Sequence, residues 1–428
     1  MHRLFCNLKL VDPTHPLHLK QVDLRVQDGQ LVEVGSALDA RDAELITLDQ
    51  CSVSVGWLDL EAEVGDPGQE HREDLVSLAA AATAGGYTQV GLRPNTFPAI
   101  HDKAGVSYLL QKGKTLPVTL LPIGAISRDT AGLEITEMLD MRATGAVAYS
   151  DGSHSLQHAG LLLRALLYAK SFRGLIMNQP LEKTIAGSGQ IHEGLVSTSL
   201  GMRGIPSLAE ELMVERDLRL LAYTDSRLHL SHISTAGAVA SVRAAKAQGL
   251  HVTASVAALN LLLTVEALED FSSNCKVLPP LRSEADRQAL LAGLKDGTID
   301  CIAANHTPRE IEAKEREFTY ADFGAAMLST AFAAAATALR DELTETELIA
   351  LFTSGPRRIL GLPTVGLRVG EEAQFTIYHY NEQWTPERRD IFSKSKNAPL
   401  LGHNLIGRPV ATVNGHHFNS LARIKASE

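Results

Sequence analysis

The sequence predicts a (β/α)8 barrel that carries a small β-sandwich domain formed by both chain ends. Through the middle of the chain, strand-like runs alternate with helical patterns, which is typical of a parallel sheet closed into a barrel and surrounded by helices. Further strand-like runs occur near both termini, and two β regions that bracket a long middle are expected to join. We therefore predict a discontinuous β domain of residues 1–54 and 363–428 and a barrel of residues 55–362.

The two ends of the chain contain the strands assigned to the β domain. Their alternation of apolar and polar residues is typical of half-buried strands. Asp28 and Gly29 separate two of these runs, and this dipeptide is a strong signal for a tight hairpin. The runs are residues 4–10, 21–27, 30–34, 374–380 and 410–414.

The middle of the chain supplies the barrel. The predicted strands are residues 53–60, 87–92, 118–123, 146–150, 175–178, 228–232, 251–255 and 299–304. The main helical patterns are residues 71–84, 159–170, 207–222, 236–247 and 284–294. A doubly wound sheet is the alternative, but no glycine-rich phosphate turn follows the first strand. An alanine-rich segment, residues 325–338, contains Ser329 and Thr330 and is predicted to be a packed helix.

The composition is that of a soluble globular protein. The chain has 428 residues, of which 45% are hydrophobic and 21% are charged. A net charge of −10 provides no basic patch, so we expect no nucleic-acid partner. The N-terminus lacks the features of a signal peptide, and no apolar run reaches the ~18 residues of a membrane span. Four scattered cysteines without a CxxC pair fit a reduced, cytoplasmic location.

Polar residues follow several of the predicted barrel strands. The active site of a (β/α)8 barrel lies at the C-terminal ends of its strands, so these side chains are expected to converge. They are Glu61 and Glu63 after strand one, Asn95 after strand two, Asp151 after strand four, Asn178 after strand five, His232 after strand six, and Asn305 with His306 after strand eight.

Distinctive motifs occur in order along the chain. At the first strand, Asp59, Glu61 and Glu63 have the spacing of an Asp-x-His-x-His motif in which both histidines are glutamates. Further motifs are residues 67–74, 93–96 (Arg-Pro-Asn-Thr), 145–152, 229–236, 276–282, 297–308 and 392–397. In these motifs the chain resembles bacterial dihydroorotases of the amidohydrolase superfamily over nearly its whole length. The resemblance implies a barrel of the amidohydrolase type.

The resemblance also identifies the positions of the family's metal ligands. In that family, zinc is held by two strand-one histidines, a strand-four acid or carboxylated lysine, histidines on strands five and six, and a strand-eight aspartate. The corresponding positions here are Glu61, Glu63, Asp151, Asn178, His232 and Asn305. Only Asp151 and His232 keep the family's residue. The aspartate replaced by Asn305 is also the family's general acid/base, and an amide does not exchange a proton at neutral pH.

The substrate pocket implied by the resemblance is altered as well. The family's substrate-binding arginine corresponds to Gly65, which removes the usual partner of the substrate carboxylate. An asparagine is replaced by Leu278 and a histidine by Arg309. Asn95 and the pair Phe323 and Gly324 remain.

Several of these residues have an alternative, structural explanation. Glu61 and Glu63 are expected to be surface carboxylates at the barrel mouth. Asn95 is either a turn residue or a remnant of substrate binding, and Asp151 is a candidate cap for the loop that follows it. His232 is expected to be a hydrogen-bonded histidine left from a ligand role. Asn178 and Asn305 are expected to hydrogen-bond each other, water or backbone groups.

These departures predict a dihydroorotase-like protein of pyrimidine biosynthesis without catalytic activity. Inactive members of the family are structural partners of aspartate transcarbamoylase, so the resemblance implies that partner, together with self-association and no cofactor. One alternative is an active enzyme with an atypical zinc site, acting on dihydroorotate or on a cyclic amide such as a hydantoin or allantoin. Another is an oxygen-ligand site for Mg²⁺ or Mn²⁺ built from Glu61, Glu63 and Asp151. A third is a small-molecule sensor that uses the old pocket.

Overall fold

The computed structural model describes residues 2–421 and confirms the predicted fold class. A nearly closed barrel of eight parallel strands carries a second, strand-rich sheet formed by both chain ends. The strands, β1 to β18, are His2–Leu10, Gln21–Gln27, Gln30–Gly35, Glu44–Thr47, Ser52–Val55, Trp57–Ala62, Tyr87–Leu92, Thr119–Gly124, Ala148–Tyr149, Ile176–Asn178, Ile191–His192, Gly204–Ile205, Leu228–Leu230, Val252–Ala257, Cys301–Ala303, Gln374–Trp384, Leu405–Asn414 and His417–Ser420.

The α-helices lie mainly between the barrel strands. In chain order, α1 to α14 are Leu75–Ala84, Lys103–Gly113, Met138–Thr144, Ala159–Lys170, Lys183–Ala186, Leu195–Ser199, Leu208–Thr224, Ala236–Ala247, Ala258–Leu262, Glu284–Lys295, Ile311–Lys314, Ala331–Leu339, Glu345–Ala350 and Ser354–Leu360. The alanine-rich segment forms the buried helix α12 as predicted, but the helix begins at Ala331, and residues 325–330 lie outside it. Within residues 2–421, no helix is long and apolar enough to cross a bilayer.

The terminal sheet joins strands from the two ends of the chain. Its order is β18-β17-β16-β5-β1-β2-β3, with β4 paired to β1. The predicted hairpin connects β2 and β3, and Asp28 and Gly29 both have positive φ, as a type I′ turn requires. Residue 1 and residues 422–428 of the predicted β domain lie outside the described residues.

The barrel strands follow the order β6-β7-β8-β9-β10-β13-β14-β15. The seam between β15 and β6 is closed partly by a side chain, because the Ala304 N–H donates to Asp59 Oδ1 at 2.7 Å. The Glu63 N–H donates to the His306 carbonyl at 2.8 Å across the same seam. Burial raises the pKa of Asp59 to about 6.

The first predicted barrel strand, residues 53–60, is in fact two strands. β5 pairs with β1 and β16 in the terminal sheet, whereas β6 begins the barrel. Gly56 lies between them, where an added Cβ would be 2.2 Å from Thr88 Oγ1, so only glycine fits. Every residue of β5 and β6 is buried, so the alternation of apolar and polar residues gave no sign of the break.

The first barrel helix is shorter than the predicted range of residues 71–84. Asp74 caps it, since its side chain accepts from the Ser77 N–H at 2.8 Å, and Ser77 Oγ accepts from the Asp74 N–H at 3.1 Å. This reciprocal capping satisfies backbone donors that have no partner within the helix. Residues 71–73 therefore stay outside the helix, and Glu73 is free to bind elsewhere.

Trp57 joins the two parts of the fold. Its ring is fully buried and lies 4.3 Å from the ring of Phe332 and 5.3 Å from the ring of Tyr378, between centroids. Its indole N–H donates to Ser54 Oγ at 2.9 Å. Phe332 belongs to α12 and Tyr378 to β16, so one side chain packs the base of the barrel against the terminal sheet.

Replacing Trp57 with alanine should lower the free energy of unfolding by about 3–5 kcal/mol, because a large buried ring is lost and its cavity cannot collapse. Urea denaturation measures the change. Leu195→Ala is the control: this side chain is 91% exposed, and its loss should change stability by less than about 0.5 kcal/mol. A loss below about 1 kcal/mol for Trp57→Ala would contradict the role assigned to this contact.

Candidate active site

Four buried side chains meet at the C-terminal ends of the barrel strands. Glu61 lies on β6, Arg93 follows β7, His232 follows β13 and Asn305 follows β15. Their exposed fractions are between 1% and 5%. Glu63 is also buried, at 7%, so the expectation that the two glutamates are surface carboxylates is wrong. Three of the four were predicted as site residues. Arg93 was noticed only as part of a motif, although an arginine directly after a buried strand was a sign that it has a partner inside the barrel.

The Arg93 guanidinium lies at the centre of this group. Its Nε is 3.3 Å from Glu61 Oε2, which forms an ion pair with both side chains almost fully buried. Its Nη2 is 3.0 Å from His232 Nδ1 and 3.4 Å from Asn305 Oδ1. The guanidinium therefore contacts three residues at positions where the family resemblance places metal ligands.

The contact with Arg93 determines the state of His232. Burial and the Arg93 charge hold the pKa of His232 well below its usual range, so the ring is neutral near pH 7. Because Nδ1 faces a guanidinium N–H, Nδ1 is the acceptor and the ring proton lies on Nε2. The 3.6 Å approach of Nδ1 to Glu61 Oε1 is thus not an ion pair.

Asn305 uses both ends of its amide. Its Oδ1 accepts from Arg93, and its Nδ2 donates to the Leu278 carbonyl at 3.2 Å. An ionised aspartate at this position would have no donor for that carbonyl and would add a second negative charge beside Glu61. The asparagine suits the arginine-centred arrangement, and it cannot act as a general base.

The second strand-one glutamate also has an arginine partner. Arg309 Nη2 donates to Glu63 Oε2 at 3.1 Å, while its Nε and Nη1 donate to the carbonyls of Phe323 and Pro308. Both positions where the family has a metal-binding histidine on strand one thus have a carboxylate paired with a guanidinium.

Asp151 and Asn178 turn away from this centre. Asp151 accepts hydrogen bonds from the backbone N–H groups of Ile126 and Ser127 and from the Ser127 hydroxyl, and burial raises its pKa. Asp151 therefore ties down a neighbouring loop instead of capping the loop that follows it. Asn178 donates to Asp217 Oδ2 at 2.6 Å and accepts from the Leu156 N–H at 3.1 Å. Asn178 and Asn305 do not bond to each other.

The residues present do not fit a divalent metal. Within the described part of the chain, no three His, Cys, Asp or Glu side chains are arranged to hold one. A guanidinium is hydrogen-bonded between Glu61 and His232, and Asp151 has its carboxylate oxygens bound to other donors. In this arrangement Glu61, Glu63 and Asp151 bind separate partners and do not form the oxygen-ligand cage considered for Mg²⁺ or Mn²⁺.

The positions that the family resemblance assigns to the substrate pocket have contacts of their own. An added Cβ at Gly65 would be 2.0 Å from the Gln69 carbonyl oxygen, so this loop has no space for the family's arginine. Leu278 and Phe323 pack with other apolar side chains in one cluster over the barrel mouth. That cluster comprises Leu181, Ile185, Ala186, Ile205, Ala209, Leu278 and Phe323. Gly324 has a φ of 140°, and an added Cβ there would lie 2.5 Å from the Thr307 carbonyl oxygen.

Asn95 has a structural role in this arrangement. Its Nδ2 donates to the Asp151 carbonyl at 3.0 Å, and its Oδ1 accepts from the Ser153 N–H at 3.1 Å. Both bonds fix the loop after β9. Of the two explanations that the sequence left open for Asn95, the contacts favour the turn residue.

The C-terminal motif crosses the mouth and is bound by Glu73. This buried carboxylate accepts from the Ser393 hydroxyl and from the Lys394 N–H, and it lies 3.5 Å from His306 Nε2. Asn397 accepts from the Arg309 N–H at 3.2 Å. Sequence reasoning identified the C-terminal motif but missed Glu73, because its partners are more than 200 residues away in the chain.

Two of the site residues have left-handed backbone conformations. His232 has a φ of 54° and Asn305 a φ of 50°. Such conformations cost roughly 1–3 kcal/mol each in a residue with a side chain and persist where surrounding contacts enforce them. The backbone thus keeps two conformations of the kind found at functional sites, although the side chains now bind one another.

Comparison with known proteins gives a consistent family. Residues 52–238 match a family model described as dihydro-orotase-like. A dihydroorotase of Syntrophotalea carbinolica is 37% identical over 96% of this chain and 97% of its own length. A dihydroorotase of Pelotomaculum thermopropionicum is 38% identical over 95% of each chain.

Solved structures of hydantoinases have the same fold. The L-hydantoinase (dihydropyrimidinase) of Arthrobacter aurescens superposes with a TM-score of 0.85 at 21% identity, covering 99% of this chain and 98% of its own. The dihydropyrimidinase of Brevibacillus agri gives a TM-score of 0.83 at 18% identity, covering 100% of this chain and 97% of its own. At these identities the likeness concerns the fold alone.

Replacing Arg93 with methionine should lower the free energy of unfolding by about 3–5 kcal/mol, because Glu61 would be a buried charge without its partner. Adding Glu61→Gln to that variant should recover about 0.5–3 kcal/mol of the loss. Urea denaturation of the four chains of this cycle gives the coupling energy.

A matched control for this cycle is an exposed pair of the same residue types. Arg389 lies 3.1 Å from Glu387, with exposed fractions of 80% and 61%. Arg389→Met should change stability by less than about 0.5 kcal/mol. If the Arg93 and Glu61 substitutions are simply additive, the ion pair does not hold the barrel mouth together as described.

Proposed function

The chain belongs to the dihydroorotase-like family of the amidohydrolase superfamily, and from that premise we propose that it is a non-catalytic member that acts as a structural partner in pyrimidine biosynthesis. The observation that carries this proposal is the Arg93 guanidinium bound to Glu61, His232 and Asn305. A residue with a permanent positive charge is built into the centre where the family resemblance places metal ligands.

The loss of a metal and a base together would remove the chemistry of hydrolysis. A metal lowers the pKa of a bound water from 15.7 to roughly 7, and without it water is a poor nucleophile at neutral pH. A general base contributes typically ~10²–10⁴-fold, and Asn305 cannot provide it. Glu61 and Glu63 are carboxylates, but each forms an ion pair with an arginine. These effects support inactivity with the parent substrate.

The form of the replacements supports a role that depends on the fold. A site that degenerates without selection accumulates unpaired polar groups, and these destabilise a buried region. Here Glu61 pairs with Arg93, Glu63 with Arg309, and Asn305 uses both ends of its amide. The buried charges of the mouth are thus paired, although Glu61 Oε1 and His232 Nε2 have no hydrogen-bond partner among the described residues. Paired charges are expected where folding is still under selection. Aspartate transcarbamoylase is the partner that we propose, with self-association as part of the same assembly.

An active cyclic amidohydrolase is the second candidate function. The names of the relatives favour it, since both are dihydroorotases at more than 35% identity over nearly the whole chain. In that case Arg93 would have to leave Glu61 and His232 before any metal could bind. Dihydroorotate and hydantoins are the substrates to test.

We predict negligible hydrolysis of dihydroorotate and no structural dependence on metal. Treatment with EDTA should leave the melting temperature unchanged within about 1 °C, because no described group of ligands needs a metal for folding. The dihydroorotase of Syntrophotalea carbinolica, assayed in parallel, is the positive control for hydrolysis. Asn305→Asp alone should not restore activity, because Arg93 still occupies the centre.

Turnover near the ~10 s⁻¹ of an ordinary enzyme, in a sample free of host dihydroorotase, would contradict the non-catalytic proposal. Binding of about two zinc ions per chain, measured by elemental analysis after incubation and desalting, would contradict it independently. Activity towards a hydantoin but not dihydroorotate would establish the second candidate function.

Assembly with aspartate transcarbamoylase from the same organism is a separate prediction. Co-expressed chains should elute together in size-exclusion chromatography at micromolar concentration, since a stable interface buries at least ~1,000 Å². The transcarbamoylase should lose assembly or activity when this chain is omitted. Separate elution, together with full activity of the transcarbamoylase alone, would reject the partner and favour a sensor or an altered enzyme.

A further inference from the structure

A cavity of about 480 Å³ lies between the terminal sheet and the N-terminal end of the barrel. It is on the opposite side of the barrel from the Arg93 centre, next to Gly56 where β5 leads into β6. Most of its wall is apolar, and the volume is within the range of small-molecule sites. The apolar lining residues are Val11, Pro13, Val55, Ile349, Leu362 and Val365.

Arg357 lines this cavity and has no ionic partner in the part of the chain that the structure describes. Its side chain is buried, with an exposed fraction of 4%. Nη2 donates to the Gly56 carbonyl at 2.8 Å, to Gln89 Oε1 at 2.9 Å and to Gln374 Oε1 at 3.2 Å, while Nη1 donates to the Thr353 carbonyl. All four acceptors are neutral, and no ion pair joins the guanidinium to a carboxylate of residues 2–421.

The charge of Arg357 is unusual for its position. Burial lowers its pKa to about 10, so the guanidinium is still charged at neutral pH. A buried cation without a counter-charge is destabilising, and buried charges in proteins are normally paired. Its Nε–H has no acceptor among the described residues, which leaves a donor for a molecule in the cavity.

Two other charged groups border the cavity, and neither neutralises Arg357. Asp12 accepts from the Thr14 N–H at 2.9 Å, the Thr14 hydroxyl at 2.7 Å and the Leu367 N–H at 3.1 Å, so its oxygens are already satisfied. Arg358 lies at the rim, where its side chain is 69% exposed and 3.4 Å from Asp300. The surroundings therefore favour a negative group beside Arg357.

We propose that this cavity is a binding site for a small amphipathic anion, with an apolar ring or chain against the aliphatic wall and a carboxylate beside Arg357. A carboxylate would form a charge-assisted hydrogen bond to the guanidinium and supply the missing counter-charge. The site is independent of the barrel mouth, and it does not depend on whether the chain is catalytic.

A pair of probes of equal shape tests the charge. Calorimetric titration of the full chain with 2-naphthoate should give saturable one-to-one binding. The neutral 2-naphthamide should bind at least ~10-fold more weakly, which corresponds to ~1.4 kcal/mol. Equal affinities for the two probes, or no saturable binding of 2-naphthoate up to millimolar concentration, would overturn the proposal.

Variants test the location. Ala350→Phe places a ring in the cavity wall without removing a side-chain hydrogen bond, and it should abolish binding of 2-naphthoate. Arg357→Met should weaken binding at least ~10-fold. The control Arg164→Met, on an exposed face of α4, should bind as the wild type does. If Arg357→Met does not fold, the comparison of the two probes and the Ala350→Phe variant still test the proposal. Unchanged binding of 2-naphthoate by Ala350→Phe would reject this cavity as the binding site.

Discussion

The buried ion pair between Arg93 and Glu61 is the interaction on which the barrel mouth depends. Each charge alone would be strongly unfavourable in the interior, and each is acceptable only because the other lies 3.3 Å away. The pair then determines its neighbours. His232 must be neutral with its proton on Nε2, and residue 305 must present an acceptor to Arg93 and a donor to the Leu278 carbonyl. An asparagine meets both requirements.

Charged residues further from the Arg93 centre also have partners of opposite charge. Arg309 pairs with Glu63 and, through its backbone, binds Asn397 of the C-terminal motif. Glu73 holds that motif by Ser393 and Lys394 and approaches His306 at the barrel seam. Charged groups that face one another in the mouth are thus bound in pairs, which explains how a barrel can lose most ligand positions of its family and keep its fold.

Two of the buried arginines of the barrel, Arg93 and Arg357, differ in a way that bears on function. Arg93 has a carboxylate partner, and both side chains of this pair are almost fully buried. Arg357 has only neutral acceptors and borders a cavity. A buried charge that is matched by an opposite charge has a structural explanation, whereas an unmatched charge beside open space points to a ligand. This difference is the reason for proposing a ligand site beside Arg357 and not beside Arg93.

The barrel, the terminal sheet and the replacement of four of the family's six ligand residues could be predicted from the sequence alone. Strand and helix periodicities are local properties of the sequence. The replacement of a family histidine by Glu61, or of a family aspartate by Asn305, can likewise be read directly from the sequence. The break at Gly56 was missed because two fully buried strands meet there without a change in pattern. The start of α1 was missed because capping by Asp74 overrides the helical pattern before it.

The contacts that the altered residues make could be learned only from the tertiary structure. It brought Arg93, His232 and Asn305 together from three strand ends, turned Asp151 and Asn178 away, and left Arg357 unpaired. The physical reason is that a buried charge pairs with a group that lies close to it in three dimensions, whatever their separation in the sequence. A sequence shows which groups need a partner, but the distance between residues 61 and 93, or between 93 and 232, is set by closure of the barrel.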